Sequence, residues 1–464
     1  MLKNNGHRKR APYRQSDGTV KSKVTRERIL AAARDVFTRY PYSTASMRMV
    51  AEAGGFQHSL IRYHFGSKKG LFEELVARMD KELLDNVTPM LDGIMERPLH
   101  EILELFVDRF LEFNFREPDS MRAIMLNVGE VESLNHTLPG LDTMQDMRLK
   151  VLRLFSTGQL ARAPERASDM WLSSFVMSVS NYVGAAAFHA GYLGFDSESA
   201  EYRDWVRSAL LFLYYPALES LAILALTGGD EPPSNPPEHD PWGQVRLQDV
   251  DNAGMTKGEV TRARILAAAR RVFSMHPYDS ASIRTIGREA GLDYTLIHHY
   301  FPAKADLFEA VAEELYLDFS AAAPTWFDGL AGMPLRQSFS LYLDRVLDYC
   351  FRKQEGLAIL VQNVAQTERL EDLPGLQHLT RLHTEIRELS DVVVPRAAGE
   401  GNVDVWQYGI ITLTYQYTGA SAYPARILGL GPASAEYRQW LKDMLMLVFY
   451  PTLKRLFLGG NPKE

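Results

Sequence analysis

One cysteine, Cys350, stands in 464 residues, so neither an intrachain disulfide nor a cysteine-built zinc site can form. A reducing, cytoplasmic setting is the expectation, with Cys350 a buried thiol. The start, MLKNNGHRKRAPYRQ, lacks the apolar core of a secretion signal, and no run approaches the roughly 20 apolar residues that cross a bilayer. Neither export nor membrane insertion is expected. No glycine-rich phosphate loop, nucleophile elbow or paired histidine–carboxylate spacing occurs. His298 and His299 are adjacent, but neighbouring helical positions point about 100° apart, which makes joint metal ligation awkward. No metal, cofactor or catalytic residue is expected, and an enzyme is the weakest reading. Alternating strand patterns with hairpin turns are missing too, which leaves an all-α fold.

What the chain does have is repetition. Shifting the sequence by 236 positions lays TRERILAAARDVF (25–37) on TRARILAAARRVF (261–273), without a gap through Phe72 and Phe308. Farther on the offset is 235. There Leu138-Pro139-Gly140-Leu141 meets Leu373-Pro374-Gly375-Leu376, and Tyr215-Pro216 meets Tyr450-Pro451. A whole unit is duplicated. Between the copies, 227–257 is rich in proline, glycine and acidic residues and reads as an exposed linker.

Within each unit the apolar spacing is helical. Ile29, Leu30, Ala33, Val36, Phe37 and Tyr40 mark a first helix, with Thr25 as its expected N-cap and Pro41 as its stop. A short helix follows from the cap Ser46 to Gly54-Gly55. Then comes another over 58–65, with Leu60, Ile61 and Phe65 inward. Helix, tight glycine turn and short helix make a helix-turn-helix. The second copy places Ser282, Ile283, Ile286, Gly291, Leu296, Ile297 and Phe301 correspondingly.

The second helix of such a pair enters the major groove. Its outward residues, Gln57, His58, Ser59, Arg62 and Tyr63 in copy one, are expected to face base edges and phosphates. Asp293, Tyr294, Thr295, His298 and His299 are their counterparts in copy two. Arg62 is the best candidate for a guanine, whose O6 and N7 a guanidinium addresses together. Ser46, Arg48 and Lys68, with Ser282, Arg284 and Lys304, are expected to meet the DNA backbone.

The net charge of −7 hides segregation. Residues 21–80 hold eleven basic and six acidic residues, whereas 257–316 hold eight of each. The basic arm at 1–22 is either a solubilising tail or a DNA contact.

The run TRERILAAARDVF, ASMRMVAEAGGF, SLIRYHFGSKKGLFEEL resembles the N-terminal region of TetR-family (tetracycline-repressor-like) transcriptional regulators, and copy two resembles it nearly as well. The resemblance implies helix-turn-helix domains at 23–80 and 258–316. It also implies helical ligand-binding and dimerisation domains at 81–226 and 317–464. Family members are typically homodimers, whereas this chain holds both protomers and would form a covalent pseudodimer. Many relatives have tyrosine where this chain has Arg62 and His298. The expected function is a ligand-responsive repressor that binds a double-stranded operator with two unlike half-sites. The alternative is a regulator whose second DNA-binding unit serves protein interaction. A small apolar or amphipathic effector would meet Phe110, Phe113, Phe115, Met121, Met125 and Asn127 in copy one, and Tyr342, Tyr349, Phe351 and Gln362 in copy two. Plain core packing is the competing reading of these residues.

Overall fold

The computed structural model describes residues 16–94, 96–129, 139–140, 145, 148–153, 160–227, 256–367, 369, 371, 373–390 and 400–458. Five basic residues of the expected arm (Lys3, Arg8, Lys9, Arg10 and Arg14) lie outside these, as do 228–255 of the expected linker.

Among the described residues all regular structure is helical. Half one contains α1 (Ser16–Phe37), α2 (Met47–Gly54), α3 (His58–Phe65), α4 (Lys68–Leu91), α5 (Leu99–Arg116) and α6 (Asp119–Val128). It continues with α7 (Glu165–Val179), a π turn at Ser180–Gly184, α8 (Ala186–Leu193) and α9 (Ala200–Thr227). Half two repeats the order: α10 (Lys257–Met275), α11 (Ile283–Ala290), α12 (Tyr294–Tyr300), α13 (Lys304–Ala322), α14 (Leu335–Arg352) and α15 (Gln354–Val364). Then come α16 (Leu376–Ser390), α17 (Glu400–Gly419), α18 (Ala422–Leu428) and α19 (Ala435–Leu458).

The first helix starts earlier than expected. Thr25 lies inside α1, and residues 16–22 of the basic arm are already helical. In half two the start is fixed by Thr256, whose side chain accepts from the Glu259 amide while Glu259 accepts from the Thr256 amide. That reciprocal cap outweighs a threonine one turn further in. Helix α4 runs unbroken through position 80, and α13 through 316, so a single rod joins each helix-turn-helix to the bundle behind it.

Repeated contacts show how closely the halves agree. Trp171 donates to the Tyr214 carbonyl and Trp406 to that of Phe449. Tyr202 and Tyr437 donate to the Tyr182 and Tyr417 carbonyls. In both halves a glycine lets the sixth helix and its neighbour nearly touch. A Cβ on Gly184 would lie 2.4 Å from the Met121 carbonyl oxygen, and one on Gly419 would lie 2.7 Å from that of Leu357.

The halves share a hydrophobic core. Leu210, Leu213, Tyr214 and Ala217 on α9 belong to one buried cluster with Leu441, Met444, Leu445 and Val448 on α19, and α7 and α17 flank this pair. Arg166 pairs with Asp443 at 2.8 Å across the seam, and Arg455 pairs with Glu219. Helix α9 corrects one expectation. It has a stretch of mean hydropathy 1.8, long and apolar enough to cross a membrane by composition alone. Half of that stretch is buried inside the protein, where it forms the inter-half core.

Candidate nucleic-acid interface

Each helix-turn-helix is held by a small apolar centre. Ile29, Val36, Phe37, Val50, Ile61, Leu71 and Phe72 are buried in half one, as are Ile265, Val272, Phe273, Ile286, Ile297, Leu307 and Phe308 in half two. The helical period therefore holds at most positions, with two exceptions. Tyr40 is 45% exposed and Leu296 is 37% exposed. Gly55 and Gly291 end the second helix with φ of +66° and +61°, a left-handed conformation that favours glycine.

Ser46 and Ser282 cap α2 and α11, accepting from the amides of Met49 at 3.2 Å and Thr285 at 3.1 Å. Arg48 is exposed and pairs with Glu52 at 2.8 Å. Arg284 lies 5.4 Å from the Tyr294 ring, which gives it a cation–π neighbour instead.

The residues expected on the outer face of the recognition helix are open to solvent in half one. Gln57, His58, Ser59, Arg62 and Tyr63 are all exposed, and Tyr63 reaches 82%. On α12 Asp293, Tyr294, Thr295, His298 and His299 are exposed as well, but several are engaged locally. Asp293 caps its own helix, accepting from the Thr295 amide at 2.8 Å and hydroxyl at 2.6 Å. These bonds hold its carboxyl below the ordinary value, so it stays ionised. His298 Nδ1 lies 3.2 Å from the Pro302 carbonyl oxygen. Where half one leaves α3 through Gly66, half two has Pro302.

Lys68 and Lys304, expected to meet the DNA backbone, each have a set of partners inside the protein. The Lys68 ammonium donates to the carbonyls of Tyr42 at 2.8 Å, Ser43 at 3.3 Å and Ala45 at 3.1 Å, and lies 4.4 Å from the Tyr42 ring. Lys304 does the same with Tyr278, Asp279 and Ala281. Burial lowers its pKa, as expected for a cation withdrawn from water. The cationic heads are drawn inward by the turn before the second helix.

That turn is gripped from the other side too. Asn127 on α6 is nearly fully buried; its Oδ1 accepts from the Tyr42 amide at 2.8 Å while its Nδ2 donates to the Ala123 carbonyl at 2.8 Å. Asn363 repeats both bonds in half two. Arg34 adds an ionic tie from α1 to Asp119 at 2.6 Å. Each helix-turn-helix is thus fastened to the bundle at this turn as well as through its rod. Asn127, expected to meet a ligand, makes one hydrogen bond at each end of its amide in this tie.

The family model described as bacterial regulatory proteins, tetR family, matches residues 29–75 and again 265–311. The TetR family's N-terminal region is thus matched twice in this one chain. The HTH-type transcriptional repressor SCO4008 of Streptomyces coelicolor is 34% identical over 102 residues, which make up 22% of this chain and 48% of that protein. The HTH-type transcriptional regulator AlkX of Mycobacterium tuberculosis is 30% identical over 104 residues, 22% of this chain and 47% of its own length. The chain thus spans about half the length of the curated relatives it matches. A crystal structure of a tetR-family transcriptional regulator from Streptomyces coelicolor aligns with 44% of this chain and 91% of its own, at 19% identity and a TM-score of 0.32.

Behind the TetR-family region of half one lies an apolar cavity of about 110 Å³, between α4, α5, α6 and α7. Phe110 lines it, together with Leu83, Val87, Ile124 and Met177, and half two closes it with Tyr417, Tyr423 and Trp440. A separate cavity of about 130 Å³ in half two, beside Tyr349, is lined by α13 to α16 alone. The other expected ligand residues pack or bridge. Phe113 is core, Met121 lies 3.2 Å from the Ser180 hydroxyl, and Met125 clusters with Phe188 of its own half and with Val364 from across the seam. Phe115 and Phe351 lie beneath Arg203 and Arg438, while Tyr342 stacks on Phe339. Gln362 donates to the Gly129 carbonyl at 2.9 Å and so joins the two halves. Cys350 is buried as expected, its thiol pushed up to about 12 by burial.

Proposed function

We propose that the chain is a cytoplasmic DNA-binding transcriptional regulator, a ligand-responsive repressor that reads an asymmetric operator as an intramolecular pseudodimer. One observation carries the reading: two recognition helices with unlike exposed faces, Arg62-Tyr63 on α3 and His298-His299 on α12, belong to two halves whose bundles share one core. A homodimer presents the same helix twice and reads a palindrome. This chain presents two different ones. Fusion also keeps the partner at an effective concentration of ~mM, so pairing hardly depends on dilution.

In this reading α3 and α12 enter successive major grooves. Ser46, Arg48, Gln57, His58, Ser59, Arg62 and Tyr63 contact the first half-site, Arg62 addressing a guanine. Ser282, Arg284, Tyr294, Thr295, His298 and His299 contact the second. The cavity supplies the control. A ligand between α4 and α6 acts on both elements that hold the turn at Tyr42, the rod beginning at Lys68 and the Asn127 amide. It weakens operator binding to the extent that it binds better to a state in which the two recognition helices are wrongly spaced. An electrophoretic shift with the DNA upstream of the coding sequence tests this. A shift that candidate ligands reverse is expected, and no shift at any salt concentration would refute it.

One observation favours a second reading, in which the second unit binds protein in place of DNA. Asp293 sets an ionised carboxylate at the tip of α12, where a phosphate would approach. Replacing His298 and His299 would then leave operator affinity unchanged.

A further inference from the structure

The two halves treat one place differently. In half one the cavity of about 110 Å³ lies beside Ser173 and is closed from half two by Ile427 and Trp440. The internal repeat carries these three residues to Tyr408, Tyr192 and Trp205. Pseudo-symmetry therefore asks for a second cavity where Tyr192 and Trp205 face half two.

That place is filled. The Tyr408 ring stacks on Tyr192, with centroids 5.5 Å apart and 12° between planes, and lies 6.0 Å from Trp205. Its hydroxyl sits 2.7 Å from His189 Nδ1, and it is 7% exposed. Beside it Tyr415, 6% exposed, stands where half one has Ser180. An apolar cavity on the order of 150 Å³ takes a benzene-sized guest. In half two the chain supplies such a ring from its own side chain.

We propose that the chain binds one small, neutral, ring-sized ligand in half one, at the seam between the halves, and that Tyr408 is a tethered ring in the equivalent place of half two. The polar wall fixes the ligand's chemistry. Arg148 already pairs with Asp169, so no anion is needed to balance it. Its Nε is buried without a hydrogen-bond partner and can donate to one acceptor on the ligand. A phenol or an aryl ketone fits, and a carboxylate does not. The cavity beside Tyr349 takes nothing from half one, and of the half-one cavity's walls it keeps Phe319 and Leu360, the counterparts of Leu83 and Ile124, but none of those at the seam. As regulation, this inference rests on the ligand-responsive reading; as binding, it stands alone. A single ligand then biases two unlike reading heads, which a symmetric homodimer with two equal pockets cannot do.

Crystals of the full chain soaked in 4-bromophenol test it, since anomalous scattering locates the bromine. One bromine is expected between Phe110 and Tyr423, and none beside Tyr192. Ser173→Tyr should abolish the first. Tyr408→Ser should create a second beside His189, and in solution should change the number of saturable 4-fluorophenol sites across the seam from one to two by fluorine NMR. Bromine in both equivalent places of the native chain, in neither, or unmoved by Ser173→Tyr overturns the proposal. Failure to bind any DNA would instead sink the regulator reading and leave this one intact.

Discussion

Asn181 and Gln416 occupy equivalent positions in the two halves, and the Gln416 side-chain amide donates to Asn181 Oδ1 at 2.7 Å in a fully buried site. A residue that bonds its own counterpart marks the two-fold axis of an isologous interface. Here that axis runs through a single chain, and the two residues on it already differ.

The pair should reveal itself in a double-mutant cycle. Asn181→Leu or Gln416→Leu alone leaves the other amide buried without its partner, at a cost of roughly 1–3 kcal/mol. The double variant should recover part of that loss. Urea unfolding measures all four corners of the cycle, and strictly additive losses would show that the contact does not couple the halves.

Lys68→Met should act on stability and not on phosphate binding. Removing the ammonium strands the carbonyls of Tyr42, Ser43 and Ala45 and should cost roughly 1–3 kcal/mol. The slope of log affinity for DNA against log salt should stay the same. A slope lowered by about one unit with unchanged stability would put the lysine on a phosphate after all.

Asp80 predicts a pH dependence. Burial pushes its carboxyl up to about 7 against the pull of Lys150, and its Oδ2 has no hydrogen-bond partner. The folded chain therefore keeps this proton up to about pH 7, whereas the unfolded chain releases it near pH 4. Between those values the folded state holds more protons, so this group's contribution to stability falls as pH rises and levels off above 7. Asp80→Asn should match the parent at pH 4 and exceed it at pH 8 by roughly 2–4 kcal/mol. Denaturation midpoints at the two pH values measure the difference. An equal difference at both would show that Asp80 titrates normally.

Arg62→Ala and His298→Ala should weaken operator binding unequally. Loss of a bidentate guanine contact costs about 1–3 kcal/mol at one base position of the first half-site, and loss of the histidine should act only on the other. Base-substitution scans by fluorescence anisotropy separate them. If His298→Ala changes nothing anywhere, the protein-binding reading of the second unit is favoured.

Local chemistry made the helix-turn-helix legible. The caps Ser46 and Ser282, the glycines after the second helix and the inward Ile61 and Ile297 all answer to short-range rules. Features that depend on distant partners were not legible. Lys68 reads as a surface cation until its helix places it under the carbonyls of a turn 23 to 26 residues earlier. Asn127 reads as a polar anchor until α6 delivers it to Tyr42, 85 residues away in the chain. Tyr408 carries no local signal. Only alignment with Ser173 marks it, and only the seam between the halves shows what its ring displaces. Helix α9 fails the opposite way, because its composition fits a membrane as well as it fits a core.

The most direct test of the central claim is selection of bound DNA from a random pool by the intact chain, followed by sequencing. Two half-sites of unlike sequence, the one beneath α3 tolerating less change, are the expected result. A perfect palindrome with equal sensitivity in both arms would contradict it.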